Sequence, residues 1–556
     1  MESYSSIKTQ SWLSWFLRGV IILGVLILLA RLIELQVIKG KYFRSLAEGN
    51  RIREVIIFAP RGEILARGGE VLVGSSEVLK RVVFDPNEGY EKLQDVEGAS
   101  VDEVITEWKR EYLLKEAFAH ASGYLGEANA EEVGSIDGDC PEKGPRKLGS
   151  LIGRSGLEEE YECKLRGIDG EELIEVDTSG KKVRVLGKRD VIPGESIKTT
   201  INYGLQQEAA RLFEGKKGAV VVTDAKGEVL ALYSSPSYDP NIFLDEGKKD
   251  KTQAILTDTD LPLFNRAMGG LYHPGSVFKP VVAVAALEEG TIDSSYVYDD
   301  PGVITIDSIY GKFSYSNWYF TQYGRKEGVI NLPRAITRST DTFFYKLGEL
   351  VGIEKLDYWA GVFRLDKKTG IDLPGEIAGL VPDPEWKLRV RGERWFLGNT
   401  YHMSIGQGDI ALTPLGVNQA ISAIAANGIY CNPRLVLGED EKQRCTNLGI
   451  KSETIELVKE GMKGVCSTGG TAFPFFDFEQ KAQVTVACKT GTAETEEKDK
   501  THAWLSVFAP ADSPEIVATV MVEKGGEGSY VAAPIAREIF NFWYQLEPKN
   551  SQNSAQ

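Results

Sequence analysis

Histidine and cysteine are scarce in this chain, with four residues of the first and six of the second in a total of 556. No Asp or Glu pattern around the histidines suggests a histidine-based triad, and no Cys/His spacing suggests zinc. We therefore expect an activity that needs no metal and no cofactor. The cysteines are few for this length. Cys431 and Cys445 are the most plausible disulfide by proximity, and Cys488 is expected to be a packed apolar thiol.

Positive charge is also in short supply, because 64 Lys and Arg residues are set against 80 Asp and Glu residues. The resulting net charge of −16 argues against nucleic acid as a partner. The length indicates more than one domain.

Long apolar runs are rare, and the longest lies near the start, where residues 19–30 are 12 uninterrupted apolar residues. That run is shorter than the roughly 20 residues of a membrane-spanning helix. Extended to 15–38 it reaches spanning length if Arg18 snorkels and Arg31 pairs with Glu34. A cleaved signal peptide is the alternative, but no small-x-small cleavage site follows. We therefore predict an uncleaved signal anchor.

Three short motifs further along the chain carry the chemical signal. The first, Ser276 with Lys279, lies in the segment HPGSVFKP. Residues 276–289 are predicted to form a buried apolar helix that begins after a turn. Lys279 then lies one turn from Ser276 on the same face, where a buried amine loses its charge readily and can activate the hydroxyl. Ser179 and Lys182 share this spacing but lie in a polar turn, SGKK.

The second motif, Ser339-Thr340-Asp341, lies 63 residues after Ser276 and between two helical patterns. Ser, Thr and Asp are favoured helix caps, so Asp341 has a purely structural interpretation as the cap of the following helix. The two roles are compatible, since a loop fixed by a cap can present Ser339 to a cleft. The position between the other two motifs favours a catalytic role.

The third motif, K-T-G-T, begins at Lys489 on a predicted strand, residues 483–494. Alternation along the strand places Lys489 toward the cleft. Gly491 allows a ligand backbone to approach the strand closely. The charge of Lys489 and the hydroxyls of Thr490 and Thr492 suit a substrate carboxylate.

In this order and spacing, the three motifs are the mark of active-site serine enzymes that handle penicillins and D-alanyl peptides. The chain resembles the class B penicillin-binding proteins, the monofunctional transpeptidases that cross-link peptidoglycan. The likeness runs almost end to end and includes GRSGLEEEYECKLRG, LFNRAMGGLYHPGSVFKP, TGIDLPGEIAGLVPDPEWK and SIGQGDIALTPLGVNQA. Asp341 favours the elongation-type branch, that of penicillin-binding protein 2, because division-type relatives usually have Asn there.

The resemblance implies a role for each motif residue. Ser276 attacks the carbonyl between the last two D-alanines of a stem peptide, and Lys279 accepts the hydroxyl proton. Ser339 relays a proton to the leaving amine, and the backbone N–H groups of Ser276 and Thr492 form the oxyanion hole. An amine of a second stem peptide then replaces D-alanine. His273, beside the nucleophile, is interpreted as a structural turn residue.

The predicted fold class is α/β, with an antiparallel sheet flanked by helices in a transpeptidase domain of the serine β-lactamase type. A membrane anchor and an α+β pedestal precede that domain, and a charged stretch, 101–115, is expected to be helical. The predicted boundaries are 1–14 for a cytoplasmic tail, 15–38 for the anchor, 39–200 for the pedestal, 201–545 for the transpeptidase domain and 546–556 for a disordered tail.

Ligands and partners also follow from the resemblance. Peptidoglycan stem peptides and β-lactams are the expected ligands. A SEDS-family glycosyltransferase and other membrane proteins of the elongation machinery are the expected partners, because the chain has no glycosyltransferase segment of its own. Catalysis is expected outside the plasma membrane. Charge counting opposes this orientation, since Lys8 and Arg18 precede the span and five residues follow it: Lys39, Lys41, Arg44, Arg51 and Arg53.

Two other functions stay open. A membrane-bound β-lactam sensor or hydrolase would share all three motifs, although the chain has no recognisable Glu loop for deacylation. Slow release of bound penicillin favours the transpeptidase, and fast turnover favours the hydrolase. A non-catalytic scaffold of the elongation machinery would use only the pedestal and the anchor. The intact Ser276, Lys279 and Lys489 argue against that scaffold.

Overall fold

The structure, a computed structural model, describes residues 11–85, 89–93, 104–177, 182–308, 311–438 and 444–546. Two compact units make up the chain. One is drawn from Met1–Pro60, Glu77–Lys109 and Gly167–Pro193, and the other from Arg61–Ser76, Arg110–Arg166 and Gly194–Gln556. Most of the predicted tails, 1–14 and 546–556, lies outside the described residues, as does Ser179.

The first unit begins with a long apolar helix, Ser11–Ile33, which continues through a π-helical turn, Glu34–Ile38, into a second helix, Gly40–Arg51. Residues 12–38 are long and apolar enough to cross a membrane. The Arg31 guanidinium lies 2.5 Å from the carboxylate of Glu34, as predicted, and Lys39 contacts the same carboxylate at 2.7 Å. Pairing reduces the cost of these charges at the end of an apolar helix.

Two sheets follow these helices in the chain. Ile52–Ile57, Gly170–Val176 and Lys182–Arg189 pair antiparallel, and Val71–Asp85 pairs with Gly89–Leu93 and Val104–Tyr112. The prediction of a helix over 101–115 is therefore wrong. In Val104–Tyr112 a β-branched or aromatic residue recurs at almost every second position, which suits a strand, and Lys80 pairs with Glu107 across the ladder at 2.7 Å.

The second unit is built on a five-stranded antiparallel sheet. Its strands lie in the order Val229–Ser235, Gly218–Thr223, Ile516–Val522, Thr501–Ala509 and Ala487–Glu494. Helices cover both faces, with Tyr203–Leu212 and Ala532–Trp543 on one and Pro414–Ala425 and Ser452–Val465 on the other. The sheet is therefore almost wholly buried, and the predicted α/β architecture is confirmed.

A helical cluster surrounds the Lys279–Glu288 helix, of which residues 279–286 are buried. It packs against Leu332–Arg338, Asp341–Val351, Ile353–Val362 and Ser452–Val465. The smaller helices are Ala119–Ser122, Gly156–Glu160, Glu162–Leu165, Lys249–Thr257, Trp318–Tyr323, Pro384–Arg391, Leu397–Ser404 and Phe478–Ala482. The smaller strand pairs are Leu125–Glu127 with Leu151–Gly153, Val297–Asp300 with Gly328–Asn331, Val303–Ser308 with Gly311–Ser316, and Ile429–Cys431 with Cys445–Asn447. Ile64–Leu65 and Ile197–Lys198 belong to the five-stranded sheet that contains Val71–Asp85.

Three disulfides join the six cysteines: Cys140–Cys163, Cys431–Cys445 and Cys466–Cys488. The second confirms the predicted pair, which lies across two neighbouring strands. Cys488 is fully buried, as predicted, but the prediction that it is a thiol is wrong, because it is joined to Cys466. Its partner follows the Ser452–Val465 helix, and only the packing of that helix on the sheet brings the two sulfurs together.

Candidate active site

Ser276 lies on a short turn before the central helix. A 3₁₀ turn, Gly275–Phe278, replaces the first turn of the predicted helix, and the α-helix begins at Lys279. The turn forms because Gly275 adopts a φ of +56°, which residues with a Cβ rarely do. Ser276 is half-buried, whereas the other three residues of the turn are buried.

Two glycines hold this turn in place. The N–H of Gly275 donates to the carbonyl of Gly406 at 2.8 Å, and a Cβ at Gly406 would lie only 2.1 Å from the oxygen of Gly275. A Cβ at Gly491 would lie 3.0 Å from the oxygen of Pro274. Gly491 therefore makes room for the turn that carries Ser276, in addition to any role toward a ligand.

Lys279 is completely buried, and its ammonium group has three acceptors. Nζ donates to Oδ1 of Asp341 at 2.7 Å, to the carbonyl oxygen of Ser339 at 2.8 Å and to Oγ of Ser339 at 3.2 Å. Burial lowers the pKa of Lys279, and the Asp341 carboxylate opposes that shift. Within the described part of the chain, its hydrogen bonds therefore go to the second motif and none goes to Ser276.

Ser339 and Asp341 are placed by the junction of two helices. Ser339 ends the helix Leu332–Arg338 with a φ of +55°, and Asp341 is the first residue of the helix Asp341–Val351. Thr340, not Asp341, is the N-cap, so the capping interpretation of Asp341 is wrong. Its carboxylate instead accepts from Lys279 through Oδ1 and from the N–H of Trp318 through Oδ2, at 3.0 Å.

Lys489 approaches Ser339 from the strand side. The strand begins at Ala487 instead of 483, because Gln483 has a φ of +57° and closes a short helix. Lys489 is fully buried, and its Nζ donates to Oγ of Ser339 at 2.8 Å and to the oxygen of Thr490 at 3.0 Å. Burial first, and then the Lys279 ammonium group, hold the pKa of Lys489 well below its usual range. The two lysines thus share one hydroxyl.

Thr490 and Thr492 are bonded to loops at the end of the strand. Oγ1 of Thr490 lies 2.6 Å from Oγ1 of Thr471, and Oγ1 of Thr492 accepts from the N–H of Gly528 at 3.3 Å. Nε2 of Gln407 donates to the carbonyl oxygen of Thr492 at 3.4 Å. These contacts fix the strand edge beside the Ser276 turn.

Several residues of the site lie outside the motifs. Oδ1 of Asn317 accepts from the backbone N–H of Asp341 at 3.2 Å, and Thr471 and Gln407 contact the third motif as above. Gln407 lies in the segment SIGQG, which is part of the sequence likeness to the family. Asn317 and Thr471 have no signal in the sequence, because each reaches the site through long-range packing.

His273 contacts the backbone of a neighbouring loop. Its Nδ1 lies 2.6 Å from the carbonyl oxygen of Ile410, which agrees with a structural turn residue.

Among the described residues, one group of side chains lies close enough together to hold a metal ion: Asp137, Cys140 and Cys163. Both of its sulfurs are joined in a disulfide, so it is not a thiolate site.

Comparisons with known proteins agree with this geometry. The family model for the penicillin binding protein transpeptidase domain matches residues 218–541, and that for the penicillin-binding protein dimerisation domain matches 87–199. The peptidoglycan D,D-transpeptidase MrdA of Acinetobacter baumannii is 31% identical, with 96% of this chain and 88% of the relative covered.

Solved structures are similar over most of the chain. Penicillin-binding protein 2 of Helicobacter pylori, in a complex with MreC, has a TM-score of 0.75 and 28% identity, and the match covers 89% of this chain and 99% of that one. A chain of a peptidoglycan synthase complex that coordinates polymerization and crosslinking has a TM-score of 0.73 and 26% identity, with 98% and 100% covered. This chain therefore belongs to the class B penicillin-binding proteins, in the branch of penicillin-binding protein 2.

Proposed function

We propose that this chain is a peptidoglycan D,D-transpeptidase of cell-wall elongation, that Ser276 is its nucleophile, and that β-lactams acylate the same serine. The observation that carries the proposal is the convergence of Lys279 and Lys489 on the hydroxyl of Ser339, beside the turn of Ser276. Two buried amines with lowered pKa values around one serine hydroxyl form a route for protons.

Acylation begins when Lys279, in its neutral form, accepts the hydroxyl proton of Ser276. The serine oxygen attacks the carbonyl carbon of the penultimate D-alanine of the donor stem peptide. The peptide C–N bond breaks, and the proton returns through Ser339 to the amine of the departing D-alanine. Burial supports this role, because it favours the neutral amine.

The oxyanion and the substrate carboxylate need separate partners. The backbone N–H groups of Ser276 and Thr492 bind the oxyanion, a contribution on the order of 3 kcal/mol per donor. Lys489, Thr490 and Thr492 bind the terminal carboxylate of the donor peptide. A β-lactam carries a carboxylate and a reactive carbonyl and occupies the same positions.

Transfer completes the cross-link. The amine of an acceptor stem peptide attacks the ester carbonyl, its proton passes to Lys279, and the ester bond to Ser276 breaks with return of the proton to the serine oxygen. Water attacks the same ester in a hydrolase. The transpeptidase therefore differs in its preference for an amine.

The remaining segments anchor and support the transpeptidase domain. We infer that residues 15–38 anchor the protein in the plasma membrane, that 39–200 form a pedestal, and that 201–545 form an extracytoplasmic transpeptidase domain. The apolar helix supports the anchor. The likeness to a peptidoglycan synthase complex supports a SEDS-family glycosyltransferase as partner, and the likeness to a MreC complex supports further elongation proteins.

The direct test is an exchange assay. The protein is incubated with a stem pentapeptide ending in D-alanyl-D-alanine and with a second D-amino acid as the acceptor amine. We expect release of D-alanine with incorporation of the acceptor, loss of both in Ser276→Ala and retention of both in Ser179→Ala. Release of D-alanine without incorporation would indicate a hydrolase, and no release from the unaltered protein would contradict the proposal.

A further inference from the structure

We propose that Asn317 and Asp300 are positioning residues for acylation, acting on Lys279 through Asp341. The inference rests on the proposed function. Both residues lie outside the three motifs, one before the helix Trp318–Tyr323 and the other at the end of the strand Val297–Asp300.

Asn317 contacts the backbone of Asp341, whose carboxylate contacts Lys279. It is completely buried, and its Oδ1 accepts from the backbone N–H of Asp341 at 3.2 Å. The next residue, Trp318, donates its N–H to Oδ2 of Asp341 at 3.0 Å. Oδ1 of Asp341 is thereby left to face Nζ of Lys279 at 2.7 Å. The segment therefore fixes both the backbone and the carboxylate of Asp341.

Asp300 in turn holds Asn317. Its Oδ2 accepts from Nδ2 of Asn317 at 3.3 Å and from the N–H of Glu327 at 2.8 Å. Its Oδ1 accepts from the N–H of Gly302 at 2.9 Å and from Oγ1 of Thr342 at 2.6 Å. Asp300 is 1% exposed. A buried carboxylate is costly unless its oxygens are hydrogen-bonded, and these four donors supply the bonds.

The network is centred on one helical turn. Asn317 contacts Asp341, and Asp300 contacts Thr342, the next residue of the same helix. Acidic side chains so deep in a fold often serve only stability. Asp300 is connected through Asn317 to Asp341, and Asp341 is ion-paired to the proposed base, Lys279. Asp300 therefore affects the reaction through the orientation of Asp341.

Loss of Asn317 changes the charge balance at Lys279. The charged groups around Lys279 are Asp341, which favours its ammonium form, and Lys489, whose Nζ donates to the same Ser339 hydroxyl. A displaced Asp341 carboxylate stabilises the ammonium form less, so the neutral form is populated at lower pH. The position of the amine relative to Ser276 is lost at the same time, which slows the chemical step.

The test compares Asn317→Ala with Thr321→Val in the full chain. Thr321 donates to the carbonyl oxygen of Asn317 at 3.2 Å, so its variant removes a hydrogen bond in the same segment without touching Asp341. The acylation rate constant and the dissociation constant for a fluorescent penicillin are measured separately as a function of pH. The melting temperature is recorded for each variant.

For Asn317→Ala we expect the acylation rate constant to fall about 10- to 100-fold, as for an unsatisfied buried hydrogen bond. The acid limb of the pH profile of this rate constant should move to lower pH. The dissociation constant should stay within about twofold of that of the unaltered protein. Thr321→Val should retain the rate and the pH profile. If Asn317→Ala does not fold, Thr342→Val, which removes only a hydroxyl that donates to Asp300, should show a smaller fall with the same direction of pH shift.

Two results would overturn the inference. One is an unchanged rate and pH profile in Asn317→Ala, or in Thr342→Val if that is the variant measured. The other is an equal effect of Thr321→Val. Either result, with normal acylation of the unaltered protein, leaves the proposed function in place. Absence of acylation in the unaltered protein would overturn both.

Discussion

At the scale of single residues, the site is organised around Ser339. Its hydroxyl oxygen lies 3.2 Å from Nζ of Lys279 and 2.8 Å from Nζ of Lys489. A hydroxyl has one donor and two acceptor positions. If one lysine is neutral, the hydroxyl can therefore accept from one amine and donate to the other, as a proton relay requires.

Replacement of the two lysines separates their roles. Lys279→Ala is expected to abolish acylation, because it removes the amine one turn from Ser276. Lys489→Ala is expected mainly to weaken binding, by about tenfold or more, because it removes the amine that, with the hydroxyls of Thr490 and Thr492, is proposed to bind the substrate carboxylate. Stopped-flow measurements with a fluorescent penicillin give the two constants. Equal loss of the chemical step in both variants, with unchanged affinity, would contradict these roles.

Burial of Lys489 implies a cost in stability. Its folded pKa is well below the 10.5 of an ordinary lysine. The unfolded chain therefore binds more protons between these two pKa values, and stability rises with pH in that window. Lys489→Met should stabilise the protein at pH 7 by about 1 kcal/mol or more, and the gain should shrink as the pH approaches 10.5. Urea unfolding at several pH values measures this difference, and a destabilised variant at pH 7 would contradict the account.

At the scale of elements, a disulfide joins the sheet to the helical cluster beside the third motif. Cys488 directly precedes Lys489, and Cys466 follows the helix Ser452–Val465. The loop after Cys466 supplies Thr471, which contacts Thr490. The disulfide therefore joins the strand of the third motif to the helix whose following loop contacts that motif.

Loss of this disulfide should reduce both stability and acylation. Cys466→Ala with Cys488→Ala is expected to cost about 3 kcal/mol of unfolding free energy, as for closed loops of this order of length. Penicillin acylation should slow as the strand edge loosens. The matched control is Cys431→Ala with Cys445→Ala, on a strand pair that carries none of the motif residues, which should lose stability but acylate at the normal rate. Equal acylation by both double variants would contradict the coupling.

Elements with a strong local pattern were predictable from the sequence. The apolar run after Lys279 and the strands of the central sheet follow from periodicity and burial. The helix predicted over 101–115 is the strand Val104–Tyr112, because its charged residues conceal the alternation of a strand. The central helix begins about one turn later than predicted, because Gly275 adopts a positive φ that the hydrophobic pattern does not reveal. Cys488, Asn317 and Asp300 could not be assigned, since their partners are distant in sequence.

At the scale of the whole molecule, the proposed anchor helix has charged residues at one end. Arg31, Glu34 and Lys39 form an ion-paired group at that end. One explanation is that these long charged side chains extend to the membrane surface. The alternative is contact with a membrane partner, the proposed glycosyltransferase.

A helix exchange distinguishes the two explanations. With residues 15–38 replaced by an unrelated spanning helix, we expect penicillin acylation of Ser276 to persist, because the site lies in the second compact unit. Cell-wall elongation should be uncoupled, measured as loss of rod shape in cells that depend on the chimaera. Full support of elongation would show that the helix is only an anchor and that the pedestal makes the contact.

The central claim is that Ser276 forms an acyl-enzyme, and mass spectrometry after treatment with benzylpenicillin tests it most directly. The account predicts one adduct with the mass of an intact penicillin molecule, on the peptide that contains Ser276. The adduct should persist in Ser179→Ala and be absent from Ser276→Ala. An adduct on any other residue, or full labelling of Ser276→Ala, would contradict the account.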